Sequence, residues 1–362
     1  MPPKLPVLNL SLSTRNPALF AEQLRSACHE IGFFLIKHDH AQTCEVALEN
    51  AREFFNREEK DKMSIGYENS PAFRGYMPIG VENTSGDIDF RQQIEYAAEY
   101  HDHRTRDDKR SLVYHRLRAS NPWPDEIIPS FKPAIMAYVE TIFEVAGVLR
   151  NAMCTALNVE PKTLGRHFGP VYQSKNSEPS FWSMKLVSYP PWDDESPRQG
   201  VGSHTDSNFL TLICQDPTET GLQVQSHNGE WIDVPATRTD TLVCNVGELA
   251  EIWSAGYFTA TPHRVARKKS QQDRISLPIF YNPKLDAIIN PIDKNNFPQW
   301  DRLTENQWRR DDNHLMASVG ENSFKSLARS HPAVFERHHG DLVLLKDGRV
   351  IMRREERPTQ SR

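Results

Sequence analysis

Between Pro17 and Lys37, the apolar residues Phe20, Leu24, Ala27, Cys28 and Ile31 recur at steps of three and four, the period of a helix with one buried face. Gly32 stops that helix, and Phe33-Phe34-Leu35-Ile36 predicts a buried strand. A short helix follows, with Val46, Leu48, Ala51, Phe54 and Phe55 as its apolar face. From Pro133 to Leu157 the positions Ile135, Val139, Ile142, Ala146, Leu149, Met153 and Ala156 keep the same period, so a long amphipathic helix is expected there.

From about Ser183 the pattern changes to short β-branched and aromatic segments divided by Gly, Pro, Asn and Asp. Predicted strands run from Met184 to Tyr189, Phe209 to Cys214, Leu222 to Gln225, Trp231 to Val234, Thr241 to Asn245, Phe258 to Val265 and Arg274 to Tyr281. Such regular spacing predicts an antiparallel sandwich or jelly roll. After Pro283 the strand rhythm is lost, and a helical stretch around Ser323 to Arg337 precedes a charged tail expected to be disordered. With no internal repeat or low-complexity linker, one continuous domain over residues 1–362 is expected. It divides into a mainly helical part (1–180), a jelly-roll core (181–285), a helical part (286–350) and the tail (351–362).

Charge narrows the partners. Lys and Arg number 43 against 48 Asp and Glu, a formal net charge of -5, and no dense basic block lies outside the last few residues. A nucleic-acid or membrane-surface partner is therefore excluded, leaving a small molecule as the default. The opening MPPKLPVLNLSLSTR lacks the basic start and apolar core of a signal peptide, and no apolar run is long enough to span a bilayer, so a soluble, cytoplasmic protein is expected. Five scattered cysteines without a CxxC pair argue against both a disulfide framework and a thiolate zinc site.

The candidate chemistry starts at Gly202-Ser203-His204-Thr205-Asp206, just before the apolar run of a core strand. Residues two apart on a strand share a face, so His204 and Asp206 would aim an imidazole and a carboxylate at one point. The triplet is not unique: His339-Gly340-Asp341 repeats it, and His38-Asp39-His40 and His101-Asp102-His103 resemble it. Those others lie in polar or charged stretches and read as surface histidines, whereas only His204 leads into a core strand. His263, in ATPHRV, is the candidate third ligand from a neighbouring strand. Two histidines and a carboxylate on one face of an octahedral ion leave three positions open, as in non-haem Fe(II) oxygenases, although zinc accepts the same donors.

Eleven residues beyond His263, Arg274 and Ser276 share a face of the strand RISLPIFY, and a guanidinium beside a hydroxyl makes a carboxylate clamp. Tyr189, on MKLVSYPPW, could offer its phenol to the same anion. The clamp alone does not say whether the carboxylate belongs to a co-substrate or to the substrate.

Taken in order, the segments LRSACHEIGFFLIKH, RGYMPIGVE, HTDSNFLTLICQD, GLQVQSHNGEWIDVPA, TLVCNVGELAEIWSAG, ATPHRV and RISLPIFYNP resemble the isopenicillin N synthase-like family of Fe(II)/2-oxoglutarate-dependent dioxygenases. The resemblance covers most of the chain. It implies a double-stranded β-helix, or jelly roll, with flanking helices. It also implies that His204, Asp206 and His263 hold iron, that Arg274, Ser276 and Tyr189 bind 2-oxoglutarate, and that O2 is the oxidant. Hydroxylation, desaturation or ring closure of a small molecule would follow. Many members carry an asparagine two positions before the tyrosine. Here that position is Val187, which cannot supply the corresponding hydrogen bond. Arg74, in the segment resembling the substrate side, is the candidate anchor for an anionic group of the substrate, and Phe209 and Tyr281 are candidates to line the pocket. The alternatives are an isopenicillin N synthase-type oxidase that dispenses with 2-oxoglutarate, and a non-catalytic jelly roll that binds zinc or a ligand.

Overall fold

The computed structural model describes residues 4–84, 87–101, 112–194, 198–217, 221–267, 269–293 and 316–353. Most of the expected charged tail and most of the segment around His103 lie outside them. Strands β1 (Val7–Asn9), β2 (Phe33–Lys37), β3 (Gly75–Met77), β4 (Asn83–Thr84), β5 (Asp87–Ile88), β6 (Gln92–Ala97) and β7 (Ser183–Tyr189) come first. Then follow β8 (Arg198–His204), β9 (Leu210–Gln215), β10 (Leu222–Gln225), β11 (Trp231–Asp233), β12 (Thr241–Val246), β13 (His263–Arg267) and β14 (Arg274–Tyr281). An eight-stranded sheet in the order β1-β2-β12-β9-β14-β7-β6-β3 faces a four-stranded sheet in the order β11-β10-β13-β8. This is the expected jelly roll, mainly β with flanking helices.

Alternation on the large sheet separates two cores. Phe33, Leu35, Val187, Ile213 and Val243 point between the sheets, where they meet Val201, Leu222, Val224 and Val265 of the small sheet. Their neighbours Phe34, Ile36, Leu212, Leu242, Cys244, Leu277 and Ile279 point the other way into a larger core. Helices α1 (Leu12–Arg15), α2 (Pro17–Glu30), α3 (Ala41–Phe55), α4 (Glu59–Met63) and α5 (Phe131–Ala156) lie N-terminal to β7, and α5 packs on α2, α3, β9 and β14. Tyr138 of α5 fixes this layer: its hydroxyl donates to the Leu277 carbonyl (2.7 Å) and accepts from the Cys214 amide (3.2 Å).

Several expectations need correction. The mainly helical first part also contributes β1, β2, β3 and β6 to the large sheet. Strand β6, QQIEYA, departs from the expected pattern because its polar residues are buried: Gln92 binds Lys62 and Tyr76, and Glu95 faces a cavity. Strand β8, RQGVGSH, was missed for want of large apolar residues, yet its glycines are needed: a Cβ on Gly200 would lie 3.0 Å from the Tyr189 ring and the Val265 side chain. The predicted strand from Phe258 begins only at His263. Beyond α6 (Pro161–Gly165) and α7 (Glu248–Trp253), the stretch at Ser323 to Arg337 is two helices, α8 (Val319–Ser330) and α9 (Pro332–His338), with Pro332 opening the second. A final hairpin, β15 (Leu342–Leu344) and β16 (Val350–Met352), was also not foreseen.

Two histidines expected at the surface are buried. His38 is enclosed. His339 faces the Pro71 carbonyl through Nε2 (2.8 Å), while Arg116 approaches its Nδ1 and forks onto Asp341. The second His-x-Asp triplet is thus a structural anchor. All five cysteines are free and buried, and no helix among the described residues is long and apolar enough to cross a membrane.

Candidate functional site

His204 is the last residue of β8 and His263 the first of β13, and the two are cross-strand partners with ring centroids 4.3 Å apart. Asp206 does not continue a strand. It stands in the loop from β8 to β9, so turn geometry rather than strand period brings it to the imidazoles. The loop is tied down on several sides: the Glu248 amide at the start of α7 donates to the Asp206 carbonyl (2.8 Å), and Asn322 of α8 donates to the Ser207 carbonyl (2.8 Å). Gly247 permits this close passage, since a Cβ there would sit 2.0 Å from the Asn208 carbonyl oxygen.

Each imidazole has one nitrogen against a backbone carbonyl: Nδ1 of His204 on Gly202 (2.8 Å) and Nδ1 of His263 on Thr261 (3.1 Å). A carbonyl only accepts, so both Nδ1 atoms carry hydrogen and both Nε2 atoms, in the neutral rings, present lone pairs. Asp206 Oδ1 lies 3.7 Å from each Nε2. Its Oδ2 accepts from Thr211 Oγ1 (2.5 Å) and Asn245 Nδ2 (2.8 Å), residues paired across β9 and β12. Burial, with His263 alongside, pushes His204 down to about 4, which keeps it a neutral donor at ordinary pH. Burial alone would raise the Asp206 carboxyl, but the two imidazoles and its two hydrogen bonds hold it below its usual range. The three donor atoms lie within 4.8 Å of one another, a set that suits a divalent transition metal.

These residues border a cavity of about 390 Å³ that also reaches Arg274, Ser276, Val187 and Tyr189. Arg274 is 2% exposed, and its guanidinium stacks over the Tyr189 ring at 4.9 Å. One nitrogen, Nη2, donates to Gln215 Oε1 (2.9 Å), whereas Nε and Nη1 have no hydrogen-bond partner. No carboxylate of the described residues pairs with it. An enclosed cation with two unmet donor nitrogens is costly unless an anion arrives, so the donors fit a carboxylate ligand. Tyr189 stands at the clamp through its ring, and its phenol engages Arg91.

Three expected pocket residues are elsewhere. Arg74 is 1% exposed, and both its Nη atoms are taken up by the carbonyls of Ala97, Ala98, Leu117 and Ala119 and by Asn121 Oδ1. It offers no anchor to a substrate. Phe209 packs against Phe168 and Trp253 in the larger core. Tyr281 stacks on Phe168 and accepts from Arg150, because an odd number of steps from Arg274 places it on the opposite face of β14. The cavity is instead completed by Glu82, Arg91, Glu95, Lys185 and His331. Lys185 was within reach of sequence reasoning, since it shares the parity of Val187 and Tyr189. Glu95 was not, because its strand went unrecognised.

Residues 181–283 match the 2OG-Fe(II) oxygenase superfamily, and residues 5–126 match the N-terminal region of a non-haem dioxygenase in morphine synthesis. A homoarginine-6-hydroxylase of Glycine max is 31% identical over 280 residues, covering 75% of this chain and 80% of that one. A 2-oxoglutarate-dependent dioxygenase of Dothideomycetidae sp. is 30% identical over 298 residues, covering 80% and 77%. Among solved structures, a full-length Neurospora crassa protein in complex with alpha-KG superposes with a TM-score of 0.70 at 21% identity, covering 90% of this chain and 96% of that one.

Proposed function

The chain belongs to the 2OG-Fe(II) oxygenase superfamily, and on that premise we propose that His204, Asp206 and His263 hold its iron while Arg274 and Ser276 hold 2-oxoglutarate. It is an Fe(II)/2-oxoglutarate-dependent dioxygenase that acts on a small molecule; the reading without 2-oxoglutarate is not favoured by its relatives. Bound iron, with O2 and the keto acid, supplies the oxidising power for a C–H bond, the keto acid leaving as succinate and CO2.

The protein's own part is placement. The Gly202 and Thr261 carbonyls fix both imidazoles with Nε2 inward, and Thr211 and Asn245 hold one carboxylate oxygen so that the other faces the same point. Arg274, braced by Gln215 and the Tyr189 ring, keeps Nε and Nη1 unmet and is the cation that receives the distal carboxylate of the keto acid. Val187 adds no hydrogen bond there. With Val201, Ile213, Leu222 and Val265 it walls the site with apolar surface that keeps water out. With Arg74 turned to backbone carbonyls, the expectation of a carboxylate-bearing substrate no longer rests on it. Five free buried thiols support a reducing, cytoplasmic setting.

The observation that carries this reading is the pairing, in one cavity, of a two-histidine, one-carboxylate cluster with a buried arginine whose donors are unmet. Asp206→Ala and His263→Ala should lose stoichiometric Fe(II) and succinate formation together. Retention of one equivalent of iron by both variants would move the metal site elsewhere.

A further inference from the structure

The cavity wall away from Arg274 carries two buried carboxylates whose partners are unequal. Glu82 is fully engaged: Arg91 pairs with Oε2, while Lys185 Nζ (3.1 Å) and His331 Nε2 (3.2 Å) face Oε1. Asp89, behind it, is also satisfied, by Thr84 (2.6 Å), Gln199 (2.9 Å) and Arg91 (3.2 Å). Glu95 is the exception. It pairs across β6 and β7 with Lys185 and is 4% exposed, yet the nearest cations stand at 3.5 Å (Lys185) and 3.8 Å (His331), and Oε2 accepts no hydrogen bond.

The single ammonium of Lys185 is thus shared between two carboxylates, and Glu82 holds it more closely. A carboxylate oxygen shut away from solvent without a donor is costly, and the cost is removed when the cavity's occupant donates to it. A cation satisfies it better than a neutral N–H, because charge-assisted hydrogen bonds are roughly twice as strong as neutral ones. Phe280, on the inward face of β14, lines the same cavity and offers an aromatic ring to such a cation.

We propose that Glu95 receives a cationic side-chain nitrogen of the substrate, an ammonium or guanidinium group, so that the enzyme acts on a small metabolite with a cationic side chain. This rests on the iron and 2-oxoglutarate reading above.

The test uses the full chain loaded anaerobically with Fe(II) and 2-oxoglutarate. Its visible charge-transfer band, recorded before any probe is added, checks that reading separately: no band would overturn it, and this inference with it. L-Arginine, agmatine and L-lysine are then titrated as cationic probes, with L-citrulline as the isostere of arginine whose side chain is uncharged. The expected result is a shift of the band by at least one cationic probe, with citrulline at least tenfold weaker than arginine. E95Q should erase the preference for arginine over citrulline. Its ligand-free unfolding midpoint should be equal to or above that of the parent, which shows that the variant is folded. A band that none of the three cations moves, equal binding of arginine and citrulline, or an unaltered preference in folded E95Q would each overturn the proposal.

Discussion

Replacing Arg274 by Met should weaken 2-oxoglutarate binding severely while leaving the ligand-free protein at least as stable as before. Two guanidinium nitrogens, Nε and Nη1, are buried and unmet. A charge-assisted bond from either of them to a carboxylate is worth about 1.5–3 kcal/mol, so its loss removes roughly ten- to a hundred-fold in affinity. Stability responds with a different sign. R274M gives up the charge-assisted bond to Gln215, about 1.5–3 kcal/mol, and the stacking on Tyr189, about 0.5–2 kcal/mol. Against this, it removes a buried cation with no carboxylate partner, whose desolvation costs several kcal/mol. Anaerobic Fe(II) and 2-oxoglutarate titration reads the first quantity, and denaturant unfolding without ligand reads the second. Unchanged affinity, or a ligand-free protein destabilised by several kcal/mol, would refute the reasoning, because Arg274 would then be a structural residue.

Thr211→Val and Asn245→Leu each free one side of the Asp206 carboxylate, and metal affinity measured by competition with a chelator should fall about 10- to 100-fold. Arg74→Met strips donors from four backbone carbonyls and should cost about 3–5 kcal/mol in denaturant unfolding; a near-neutral change would contradict its structural assignment. Burial lowers His339 to about 4 from an ordinary 6.5, so between those values the unfolded chain binds the proton and the folded one does not. The resulting stability is fully present above pH about 6.5 and is lost as pH falls toward about 4. His339→Gln should flatten that part of the pH profile, whatever it does to the overall level, and an unaltered slope would count against the assignment.

The sheet was legible where one side of a strand meets a core and the other is apolar too, as in FFLIK, LTLICQ and TLVCNV. It was not legible where the inward side lines the cavity. Strand β6 looks like a polar loop because Gln93 and Glu95 face inward, and β8 looks like a turn because Gly200 and Gly202 must be small. The cluster of His204, Asp206 and His263 was readable from types and order, although Asp206 reaches it from a loop and not along a strand. Arg74 shows the opposite limit. Nothing in RGYMPIGVE distinguishes an arginine aimed at a ligand from one filled by four carbonyls of distant segments, because those contacts exist only in the folded chain. Tyr281 was a matter of parity, and counting along RISLPIFY from Arg274 places it on the far face.

One cavity that holds iron through two histidines and an aspartate, and 2-oxoglutarate through Arg274, has a spectroscopic signature. Anaerobic titration of the ligand-free protein with Fe(II) and then 2-oxoglutarate should give a visible charge-transfer band that saturates at one iron and one keto acid per chain and is absent from His204→Ala. A parent protein that gives no band, or a His204→Ala variant that gives the full band, would contradict this reading of the cavity.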